Sequence, residues 1–189
     1  MADSFGSLDP RIDARENDVA AGEFEGFHRI EKALWEEGTT KGMAPVAEQL
    51  QADVEELARK VETVELTATQ ISEGAVALLG EVSASKITGE EERYSHIDLV
   101  DFKANVEGSE AAFEAVEPMV KASEPELEEE IEEHFAMVFE ELEPYETADG
   151  FVSYTELMQA DTRKLATGID TLAEELSQAP AVVAAAEGG

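Results

Sequence analysis

His28 and Glu31 stand three residues apart in Gly22-Glu-Phe-Glu-Gly-Phe-His-Arg-Ile-Glu-Lys-Ala-Leu-Trp35, a stretch with helical periodicity. Residues three and four apart share a helix face. The rows Phe24, Phe27, Glu31, Leu34 and Phe24, His28, Glu31, Trp35 therefore place an imidazole and a carboxylate among aromatic residues. Polar groups on an apolar face carry a desolvation cost unless they are paired. Two readings remain open: the pair satisfies itself and a neighbouring helix, or it holds a cation. Glu25 precedes it and extends the pattern to Glu-x-x-His-x-x-Glu.

A second polar constellation runs from Glu90 to Glu107. Read as a helix, it puts Tyr94, Asp98, Asp101 and Asn105 on one face and makes Glu92 and His96 an i, i+4 pair. Imidazole suits transition metals and carboxylate oxygen suits harder ions, so a mixed set fits iron, zinc, manganese or copper better than calcium. The plain alternatives are a structural His–Glu hydrogen bond, acids at a helix N-terminus that complement its dipole, and solvated aspartates. His134, among exposed glutamates, reads as structural or surface.

Several chemistries lack their residues. His28 has no His partner at i+4, so the His-Glu-x-x-His zinc peptidase helix is missing. Glu25-x-x-His28 is a single copy, whereas a di-iron bundle needs two Glu-x-x-His motifs. There is no Gly-x-Ser-x-Gly elbow and no glycine-rich phosphate loop. The chain has no cysteine, which removes disulfides, thiol catalysis and Cys-ligated metals.

The elements that must position these residues are helical, since almost nothing alternates as a strand does. A first long helix is expected after Leu8-Asp9-Pro10 and up to Gly38. The next opens at Pro45 with the stripe Val46, Leu50, Val54, Leu57, Val61. A third carries Ile71, Ala75, Leu78 and Val82, with Gly74 and Gly80 allowing close approach. Capping boxes at Thr88-Gly-Glu-Glu91 and Ser123-Glu-Pro-Glu126 open two more, separated by a break at Pro118. The last carries Leu157, Leu165, Ile169, Leu172 and Leu176. The fold class is all-α, an antiparallel bundle of about six helices.

The 189 residues, 43% hydrophobic, can bury one sizeable core. The charge is extreme: 45 acids against 13 bases, net −32. Such a surface repels nucleic acid and anionic lipid, and its even spread is the pattern of a protein kept soluble in high salt. No stretch reaches the roughly 18 apolar residues of a membrane span, so no direct membrane insertion is expected. No signal peptide is visible at Met1-Ala-Asp-Ser.

Phe27-His-Arg-Ile-Glu-Lys-Ala-Leu-Trp35 and Ser85 through Gly108, together with Leu8-Asp-Pro-Arg-Ile-Asp-Ala-Arg15 and Asp149-Gly-Phe-Val-Ser-Tyr154, resemble the imelysin-like domain of the EfeO/EfeM iron-uptake family. The resemblance implies a helical bundle whose Gly-x-His-x-x-Glu metal motif falls on Gly26, His28 and Glu31. His96, Asp98 and Asp101 also match. The expected ligand set is thus His28 and Glu31, with Asp98, Asp101 and Glu92 or His96 from a facing helix. Iron is the implied metal, with zinc or copper as alternatives. The resemblance further implies a non-enzymatic protein outside the cytoplasmic membrane that presents iron to a partner permease. An imelysin-type metallopeptidase and a polymer- or protein-binding module are the other readings. Family members carry more helix before Leu-Asp-Pro, so the expected layout is a bundle domain over 1–180 lacking the family's N-terminal helices, then a flexible tail over 181–189. The cupredoxin-like domain of some members is absent, and Val100 and Lys103 stand where Trp and Gln are expected.

Overall fold

All six prolines stand in the first turn of a helical segment. There the missing N–H costs nothing and the fixed φ already suits the helix. They open α1 (Asp9–Ile12), α3 (Ala44–Val61), α6 (Glu117–Ser123), α7 (Pro125–Leu142) and α9 (Ala179–Glu187), and a 3-10 turn at Glu143–Tyr145. The remaining helices are α2 (Gly26–Trp35), α4 (Ala68–Ala84), α5 (Asp98–Glu114) and α8 (Gln159–Leu176). The computed structural model describes residues 6–84, 89 and 91–188. Among them the fold is all-α, with one two-residue hairpin pairing Glu146 with Phe151 and Thr147 with Gly150. None of the described helices is long and apolar enough to cross a membrane. The excess over six helices comes from the short segments that Pro10, Pro118 and Pro180 start.

The chain forms two compact units, Met1–Glu65 and Leu66–Gly189. In the first, α2 packs on α3, and α1 packs on both. The expected long first helix does not form. Gly26 has φ +77° and Glu25 is extended, so α2 begins only at Gly26. The buried face of α2 is Gly26, His28, Glu31 and Ala33. Phe27 and Trp35 are more than half exposed, at 54% and 55%. The aromatic stripe thus points outward and the polar pair inward. On α3 the expected apolar stripe buries only Leu50, with Asp53 beside it, while Val54 and Val61 are exposed.

The second unit is a helical bundle. Phe102, Val106, Ser109 and Phe113 follow helical spacing on α5 and are buried. Ile131, Phe135, Val138 and Leu142 do the same on α7, and Leu165, Ile169, Leu172 and Leu176 on α8. The Phe113 and Phe135 rings meet at 6.2 Å in a tilted pair. Gly74 and Gly80 face open space, so they are not approach points for a neighbour. The segment expected to be a flexible tail is helix α9. Val183 is fully buried in the core, and Glu187 caps α4 by accepting the Ala68 and Thr69 N–H groups at 3.0 and 3.2 Å.

Candidate metal centre

The first unit builds its polar cluster from α1 and α2. His28 and Glu31 are 3% and 6% exposed, and His28 Nδ1 lies 3.0 Å from Glu31 Oε2. On the opposite edge of the ring, His28 Nε2 lies 3.3 Å from Asp13 Oδ1, an ion-pair approach rather than an aligned hydrogen bond. One buried imidazole is thus flanked by two carboxylates. Gly26 makes this possible. A Cβ there would stand 2.2 Å from the Ile12 carbonyl oxygen and 2.7 Å from that of Arg11, so only glycine lets α2 start against the end of α1.

Asp13 follows α1 directly and reaches His28 because of that contact. Arg11 pairs with Asp53, buried on α3, and Gln49 donates to the same Asp53 oxygen at 3.0 Å. Lys32 and Glu16 pair as well, tying the segment after Asp13 to α2. Asp13, Arg11 and Asp53 were missed in the sequence. The available signals were an Asp inside the Leu8 to Arg15 motif and an Asp three residues after Leu50 on a helix face.

In the second unit residues 91–97 of the expected helix form a loop, and α5 starts at Asp98. Thr88 and Glu90 of the expected capping box lie outside the described residues. The Ser123 box is not made: Glu124 precedes α7 and no side chain caps it. Asp98 organises the loop, its Oδ1 accepting the N–H groups of Glu91 and Glu92 at 3.1 and 3.2 Å. His96 takes a left-handed φ of 57°, donates its N–H to Glu92 O at 2.9 Å, and accepts from Tyr154 N–H at 2.9 Å. Glu92 and His96 therefore bracket a turn instead of forming a helical i, i+4 pair. Tyr94 precedes α5 and leaves the row that Asp98, Asp101 and Asn105 keep. Asp98 is fully buried, and its Oδ2 has no hydrogen-bond partner among the described residues. Burial, then the Asp98 charge, pushes the Tyr154 hydroxyl above its ordinary range. The Tyr154 ring also covers Gly89, where a Cβ would meet it at 2.4 Å.

Residues 2–179 match the imelysin family. The chain belongs to that family. It is 44% identical over 180 residues to the iron uptake system component EfeM of Bacillus subtilis (strain 168), covering 94% of this chain and 47% of that protein. It is also 44% identical over 182 residues to the iron uptake system component EfeO of Escherichia coli (strain K12), covering 94% and 48%. The chain therefore spans about half the length of the curated relatives it matches. In this imelysin member Gly26 provides the close approach, and His28 and Glu31 form the buried polar pair beside it.

Proposed function

We propose that this chain is the metal-binding part of an iron-uptake component, working outside the cytoplasmic membrane and passing its ion to a partner permease. The observation that carries the reading is the buried His28–Glu31 pair. Donors at roughly 2.0–2.2 Å from one ion and near right angles to each other stand about 3 Å apart, which is the spacing of Nδ1 and Oε2 here. The relatives' name, iron uptake system component, supports iron as the ion the pair receives.

In this proposal His28 and Glu31 are the fixed ligands. Zinc and copper compete for such a set, since imidazole and carboxylate do not select iron by softness. Titration calorimetry with Fe(II) under anaerobic conditions, and with Zn(II), tests the reading. Binding should be stoichiometric in the native chain and absent in His28→Ala, with helicity unchanged by circular dichroism. Unchanged binding in that variant refutes the assignment. The family's peptidase label supplies the second reading, and chelator-sensitive cleavage of a test peptide by the same preparation would favour it.

A further inference from the structure

We infer that Asp13 is the carboxylate that orients His28 for its ion, and that the Arg11–Asp53 pair holds Asp13 in place. The inference rests on the reading of His28 and Glu31 as ligands and adds the groups that position them. The two ring nitrogens face opposite ways, so a single ion cannot use both. With the ion at the Nδ1 edge beside Glu31, Nε2 carries the proton and faces Asp13 at 3.3 Å. A metal-bound histidine commonly gives its second N–H to a carboxylate that sets tautomer and ring angle, and Asp13 is the carboxylate within ion-pair reach of that nitrogen.

The Asp13 side chain is 53% exposed, and the backbone before it is held by its neighbours. The carbonyls of Arg11 and Ile12 abut Gly26, and the Arg11 guanidinium reaches Asp53, which is 1% exposed on α3. A buried carboxylate requires its cation, so Asp53 grips the α1 turn two residues before Asp13. Asp53 touches neither His28 nor Glu31 in any contact described, and acts only through Arg11. It is a positioning residue.

The test separates position from stability. Arg11→Met alone strands a buried charge and should lower the melting temperature. The double variant Arg11→Met/Asp53→Leu removes both charges and should recover it. If the pair positions Asp13, the double variant still binds Zn(II) roughly ten- to a hundredfold more weakly, as Asp13→Asn does. The ¹⁵N shift of His28 Nε2 in the zinc-loaded protein should then move from its native value in both, because the N–H loses its carboxylate acceptor. Recovery of affinity and of the native His28 shifts along with stability would overturn the inference. If the native chain takes up neither Fe(II) nor Zn(II), the ligand reading falls and this inference with it. If the native chain binds, His28→Ala does not, and the double variant matches the native chain, only this inference falls.

Discussion

Gly26 carries no functional group, yet the cluster depends on it as much as on His28. An L-residue in the left-handed region costs roughly 1–2 kcal/mol, and Gly26 has φ +77°. An added methyl would also meet the Ile12 carbonyl at 2.2 Å, inside any permissible contact. Backbone lies on both sides of that clash, so α1 must move, and Asp13 moves with it. Gly26→Ala should therefore lose at least about 1–2 kcal/mol in denaturant unfolding and weaken metal binding in calorimetry. A variant with native stability and affinity would show that the close approach is dispensable. The motif is visible in the sequence as a spacing, and His28 and Glu31 can be picked out because they interrupt an apolar pattern. Asp13 cannot, because it meets His28 only through a turn that Gly26 permits.

At the level of elements, helix content and the helix start at Pro45 were legible from periodicity and fixed φ, whereas Pro10, Pro118 and Pro180 read as a turn, a break and the head of a tail although each opens a helix. The loops at 13–25 and 91–97 were misread as helix. Acid-rich sequence has the composition of a helix surface, while a left-handed Gly26 or His96 is a tertiary choice. The C-terminal segment shows the same limit. Its Ala-rich run offers little apolar area, but Val183 fills the core of the second unit and Glu187 caps α4. The Thr69 hydroxyl first, against an opposing effect of desolvation, and then the Thr69 and Ala68 N–H groups hold the Glu187 carboxyl below its ordinary range. A depressed carboxyl contributes stability above its unfolded pKa of about 4.3 and loses it as pH falls through the folded value. Glu187→Ala should therefore melt below the native chain at pH 7, with the gap closing in acid. A gap that is the same at pH 7 and pH 3 would mean the carboxylate is not the source.

The whole molecule carries 45 acids against 13 bases, a net charge of −32. Glu110 on α5 shows the consequence locally. Partial burial first, and then Glu114, Glu107 and Glu132, raise its carboxyl above the ordinary range. A raised carboxyl contributes stability that is full below its unfolded pKa and is lost as pH rises through the folded value. At neutral pH this site therefore works against folding. It borders a cavity of about 390 Å³ that Lys103, Glu107, Glu143 and Glu146 also line, over Phe139 and Leu142. Lys103 answers only part of that charge, through Glu146 at 2.8 Å. Salt relieves what it leaves, since the Debye length falls from roughly 30 Å at 0.01 M to about 3 Å at 1 M. The melting temperature should rise from dilute buffer to molar KCl, the behaviour proposed here for a chain adapted to high salt. Glu110→Gln should raise the dilute-buffer value and reduce the salt increment, because it removes one repelling charge that KCl otherwise screens. A melting temperature indifferent to KCl would mean that the acidic excess is not a folding burden, and the adaptation to salt would fall with it.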